Sequence, residues 1–188
     1  MSSLNFGTVF VVNKLTTRPN IMKIHVKLII FAFVLGLIGC EKETDNTAVE
    51  DYISQLRSNT YEAYELPAFL PSDIPALLKY RNETTVITHF PRNGISSYWT
   101  GECKLGIYVL WTIESIRAAE TESKYLIGRF PSQNPILALK SSPELRLVND
   151  ENSHIEAADA YYYWWNALYI FTDKMKSDPL EDTDYRWQ

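Results

Sequence analysis

Cysteine is scarce in this chain: Cys40 and Cys103 are the only two among 188 residues. That excludes a disulfide-stapled scaffold and leaves the fold to rest on its apolar core. Acidic residues are missing altogether from the first 40 positions, while residues 41–188 carry 14 basic against 23 acidic groups. An acidic surface of that kind lacks the cations needed to displace the counterions of DNA or RNA, so nucleic acid is excluded as a partner. Long apolar runs are also lacking. The longest is Leu28–Gly39, 12 residues, whereas a membrane-spanning helix takes about 20. The chain likewise has no pair of carboxylates placed by spacing for acid–base work. His154-x-Glu156 lacks the downstream cysteine pair of a zinc deaminase, and Asp150-x-Asn152 lacks the glycine and distal glutamate of a calcium loop. No cofactor or metal is expected, and no catalytic residue.

What is present begins with MKIHVKLIIFAFVLGLIGCEKE. A basic segment with Lys23 and Lys27, the 12-residue apolar run and then Cys40 form the layout of a bacterial export signal. Leu37-Ile38-Gly39-Cys40 resembles the lipobox of bacterial lipoproteins, which implies that Cys40 becomes the acylated N-terminus. On this reading residues 1–21 are an overextended start, 22–39 are the signal peptide, 40–46 are the lipidated cysteine and a charged tether, and 47–188 are one domain. The expected address is the outer membrane, at its periplasmic face or the cell surface. With Cys40 acylated, Cys103 has no partner in the chain.

The domain reads as all-α, a small helical bundle or short α–α superhelix with long irregular connections. Thr47-Ala48-Val49-Glu50 has the pattern of a capping box, and Val49, Tyr52, Ile53 and Leu56 give a helix over 48–58. Ser72-Asp73-Ile74-Pro75 starts a second helix, expected to reach Asn82, while 84–90 is extended or loop. CKLGIYVLWTIESIRAA, with Thr100 as cap, is apolar nearly all round and belongs at the centre. Residues 124–148 have no sustained period and a short helical turn expected from Pro143. Ser153-His154-Ile155-Glu156 is read as a capping box opening a last helix that continues to Lys176. The aromatic-ended tail is expected to pack.

Phase divides the aromatic cluster of that last helix. At 100° per residue Ala157, Tyr161, Trp164, Leu168, Phe171 and Met175 form a core side. Asp159, Tyr162, Trp165, Asn166, Tyr169 and Asp173 lie opposite. A face mixing rings with carboxylate and amide groups suits either a protein partner or the stacking and hydroxyl recognition of a glycan. Asp159, Tyr162, Trp165, Asn166 and Tyr169 are therefore the candidate ligand face. Glu114 and Arg117, three apart on the central helix, read as an internal ion pair. Cys103, at the third helical position with His89 or His154 as a base, is the one site for a thiol enzyme.

SDIPALLKYRNET, CKLGIYVLWTIESIR, FPSQNPIL, AYYYWWN and DPL-x-x-T-x-YRW together resemble an uncharacterised family of bacteroidete-type lipoproteins, a domain of unknown function. The resemblance spans nearly all of the chain after Cys40 and brings no activity with it. The Pro-started helix followed by an apolar helix also resembles a degenerate HEAT-like hairpin, at the level of fold alone. Three functions follow as expectations: a lipid-anchored, non-enzymatic helical module that binds a protein partner; a glycan-binding accessory lipoprotein; and, third, the thiol enzyme.

Overall fold

Twelve consecutive residues, Leu105–Ile116, are buried, so the helix that carries them is packed on every side, as its all-round apolar character requires. The computed structural model describes residues 46–96, 101–121, 126–131, 133–142, 144–167 and 170–188. In chain order the elements are α1 (Thr47–Ser58), a 3₁₀ turn (Pro71–Asp73) leading into α2 (Ile74–Leu78), β1 (Val86–Ile87), β2 (Cys103–Lys104), α3 (Leu105–Thr121), a second 3₁₀ turn (Ile127–Arg129), β3 (Leu137–Leu139), β4 (Leu147–Val148), α4 (Glu151–Asn166), α5 (Phe171–Lys176) and β5 (Tyr185–Trp187).

The fold is mainly helical but not all-α, which corrects the sequence expectation. β1 pairs antiparallel with β2, and β3 is the middle strand of a second antiparallel sheet in the order β4-β3-β5. These strands are two or three residues long, too short for a period-2 signal; tertiary neighbours fix them instead. α3 shows how. Its first N–H groups have no intrahelical acceptor, and Leu105 and Gly106 donate to the carbonyls of Thr85 and Glu83 at 2.8 Å each. That draws residues 83–87 alongside 103–106 and makes Cys103 a strand residue rather than the third residue of the helix. Thr100, the expected cap, lies outside the described residues.

α1 buries Val49, Tyr52, Ile53 and Leu56 as its spacing predicts. Its cap residue is Asn46 rather than Thr47. The helix ends at Asn59, which takes the left-handed conformation (φ 57°) and uses its side-chain Oδ1 to accept from Thr88 N at 2.8 Å. α2 stops at Leu78, short of the expected Asn82, because the next three N–H groups bond three residues back, to Ala76, Leu77 and Leu78, and tighten the chain into turns. Pro143 lies outside the described residues, and a strand, β4, follows it at Leu147–Val148.

The last helix divides in two. Asp150, not Ser153, is the cap of α4: its carboxylate accepts from Ser153 N at 2.9 Å. α4 ends at Asn166, with Ala167 extended, and α5 begins only at Phe171. Lys174 holds this break closed, its ammonium donating to Trp165 O while its own carbonyl accepts from Trp164 Nε1 at 3.0 Å. The break also changes the phase, so Phe171, expected in the core, is 47% exposed. The tail packs as expected: β5 joins β3, and Lys140 Nζ donates to the carbonyls of Leu180, Glu181 and Thr183 at 2.7–2.9 Å.

One glycine is dictated by close approach. A Cβ on Gly106 would stand inside contact distance of Arg81 O and His154 Nε2, the two atoms whose hydrogen bond ties α4 to the end of the α2 turn.

Candidate functional site

Helix α4 positions most of the residues expected to meet a ligand, and the fold separates them. Ala157, Tyr161 and Trp164 are buried as their phase requires. Of the opposite side, Tyr162 is 42% exposed but lies beneath the Arg81 guanidinium, 4.4 Å from the ring centroid. Trp165 is half-buried, packed against the core with Lys174 Nζ 5.1 Å from its centroid. Asn166 spends its amide on its own helix, donating to Tyr162 O at 2.8 Å. Asp159 is exposed, and Tyr169 lies outside the described residues. Cations thus occupy faces of the two rings expected to stack on a ligand.

The open ring is Tyr163, 69% exposed and edge-on to Tyr162 at 5.9 Å. It stands four residues from Asp159 and eight from Ile155, which is 48% exposed, so the three form a row along α4. The i, i+4, i+8 spacing is legible in the sequence; assigning Tyr162 and Trp165 to one outward face concealed it. A groove of about 430 Å³ runs along this row, bounded by Asn152, Glu156, Asp159 and Tyr163 on α4 and by Asp182 and Thr183 from the tail.

Cys103 and His154 line one small chamber of about 240 Å³, and the Cys103 thiol faces Lys104 O and Pro135 O at 3.4 and 3.5 Å. Burial pushes the Cys103 thiol up to about 12, the opposite of the effect expected at a helix N-terminus. His154 Nε2 donates to Arg81 O at 2.8 Å, and His89 is exposed beside Thr88 Oγ1 at 3.1 Å. Desolvation is the main cause holding the His154 pKa below 6.5, aided by Lys104, against the Arg81 hydrogen bond. A histidine with a lowered folded pKa contributes stability that is present above about pH 6.5 and lost as pH falls through the folded value. The unfolding midpoint is accordingly expected to drop between about pH 7 and 5 more steeply in the parent than in His154→Gln. Parallel denaturation curves at the two pH values check this, and equal drops would contradict it.

A cavity of about 630 Å³ lies beside the second half of α3. Glu114 and Arg117, read as an ion pair from spacing, are one: Oε2 and Nη1 are 2.5 Å apart, with both side chains about nine-tenths buried. Glu114 also accepts from the Tyr161 hydroxyl, which in turn accepts from Trp187 Nε1 at 2.8 Å. Burial raises the Glu114 pKa against the pull of Arg117 and Tyr161. Lys176, Arg186, Ile95 and Ile127, none of them a sequence-stated candidate, border the same cavity. No local pattern announces them, since four separate stretches of chain bring them there. Among the described residues no group of three His, Cys, Asp or Glu could hold a metal ion, and no helix is long and apolar enough to cross a membrane.

The fold and these surfaces define a small, mainly helical domain with short antiparallel sheets, a solvent-facing groove on α4 and a mixed cavity beside α3. The chain belongs to the family described as a domain of unknown function (DUF4943), which matches residues 43–188. No curated protein and no solved structure matches it.

Proposed function

We propose that this chain is a lipid-anchored, non-enzymatic binding module of the outer membrane, exported by residues 22–39, held through acylated Cys40, and docking a protein partner on the outward row of α4. The observation that carries the partner surface is Ile155–Asp159–Tyr163. Large apolar side chains are left in solvent beside carboxylates, and an exposed apolar strip rimmed by polar groups is the usual mark of an interaction site. The lipobox resemblance and the basic–apolar–Cys40 layout support the anchor, as does the likeness to bacteroidete-type lipoproteins. The packing of α2 against α3 and of α3 against α4 is compatible with the HEAT-like hairpin analogy.

The glycan reading keeps one favourable observation: the groove surrounds the Tyr163 ring with Asn152, Glu156, Asp159 and Asp182, the ring-plus-amide-plus-carboxylate set that sugars require. A photoreactive benzoylphenylalanine at position 163, in cells, is the experiment that separates the two. A discrete protein adduct at 163, absent when the same group replaces Glu120 and lost with Asp159→Lys, is the expected result. Absence of any adduct, together with panel glycans that bind the soluble domain and are lost with Tyr163→Ala, would overturn the protein-partner reading in favour of the sugar.

A further inference from the structure

We infer that the cavity beside α3 is a second binding site, for a small monocarboxylate with an aliphatic body. At about 630 Å³ it falls within the size range of small-molecule sites. Its polar floor is fixed before any ligand arrives. Glu114 is held by Arg117 and Tyr161, and Arg117 is held in turn by Glu114, by Ser177 O and by the Trp164 ring, whose centroid lies 5.5 Å from the guanidinium carbon. A buried ion pair is a poor source of stability compared with apolar packing, so its place on a cavity wall points to a use in recognition.

Charge selects the ligand's sign. With Glu114 and Arg117 cancelling each other, the remaining charged side chains on the cavity, among the described residues, are Lys176, Arg186 and Asp178. Their sum is one positive charge in a domain that is otherwise strongly acidic, and one carboxylate neutralises it. No described side chain pairs with Lys176 or Arg186.

Shape and apolar chemistry select the body. The rings that border the cavity, Phe130 and Trp187, are more than nine-tenths covered, whereas Ile95 and Ile127 stand 71% and 65% exposed. The apolar surface on offer is therefore branched aliphatic, without the open aromatic face on which a sugar stacks. That distinguishes this cavity from the α4 groove, and either site can fail without the other.

Sodium octanoate, with octanamide as its uncharged counterpart, is the probe pair, titrated into soluble 41–188 with tryptophan fluorescence as the readout. Octanoate is expected to bind saturably with a Kd of about 1 mM or tighter, the level that a ligand of this size reaches at modest efficiency. Octanamide and the Lys176→Ala/Arg186→Ala variant should each bind about tenfold more weakly or worse. Ala118→Trp, which places a large ring in the cavity, should abolish saturation, with far-UV circular dichroism confirming that both variants remain folded. No saturable binding to the parent up to about 10 mM would overturn the inference. So would equal affinity for acid and amide, or parent-like binding by a folded Ala118→Trp.

Discussion

Glu114→Gln is expected to destabilise the domain by about 3–5 kcal/mol, the usual cost of breaking one side of a buried charge pair. The substitution keeps the volume and an oxygen for the Tyr161 hydroxyl to donate to, but it leaves the Arg117 guanidinium, with a side chain only 11% exposed, without its anion. Most of the loss comes from that uncompensated charge rather than from a missing hydrogen bond. Chemical denaturation at neutral pH reads it as a lower midpoint with an unchanged slope. Removing both charges with Glu114→Leu/Arg117→Leu should restore much of the stability, since apolar packing of similar volume often equals or betters a buried pair. A loss below about 1 kcal/mol for Glu114→Gln would show that water screens the pair and that it is not buried in the way described.

The neighbouring tryptophans of α4 should differ nearly as much. Trp164→Ala is expected to cost about 3–5 kcal/mol. The ring is 7% exposed, packs edge-on to Tyr161 at 6.0 Å, and donates from Nε1 to Lys174 O and Ser177 Oγ at 3.0 and 3.1 Å. Its loss opens a cavity and also frees the contact that holds α5 against α4. Trp165→Ala should cost about 1–2 kcal/mol, because the ring is only half-buried and its main polar neighbour, Lys174, retains the bond from its ammonium to the backbone carbonyl of residue 165. Thermal or denaturant midpoints of the two variants compare them directly. Equal losses would mean that the two indoles share one environment and that helical phase does not govern this helix.

Helical periodicity made the inner half of the fold legible. The 3.6-residue spacing of Val49, Tyr52, Ile53 and Leu56 is the buried stripe of α1, and the all-round apolarity of 105–116 is the burial of α3. Phase likewise placed Ala157, Tyr161 and Trp164 inward. What escaped was decided by contacts distant in sequence. Cys103 carries no local strand signal; it pairs with Ile87 because the first N–H groups of α3 find acceptors at Thr85 and Glu83. No glycine or proline marks the end of α4, so a continuous helix to Lys176 was the reasonable expectation, yet Lys174 closes a break there. Of the expected ligand face, Asp159 is exposed. Tyr163 was concealed by richer neighbours; the cation over Tyr162 is Arg81, far away in sequence, and Lys174, only nine residues from Trp165, comes over that ring across the break between α4 and α5. The Glu114–Arg117 pair was visible as spacing; its cavity was not, because Lys176, Arg186, Ile95 and Ile127 meet there only in three dimensions.

The proposed activity depends on the module being tethered to a membrane, and one measurement addresses that directly: the intact mass of the protein extracted from the membrane fraction of cells producing the full chain. The account predicts a species that begins at Cys40, carries the added mass of acyl groups on that residue, and moves to the soluble fraction or remains unprocessed with Cys40→Ala, since more than one acyl chain is needed for stable anchoring. A full-length, unacylated chain that retains the residues before Cys40 and is recovered from the soluble fraction would contradict it.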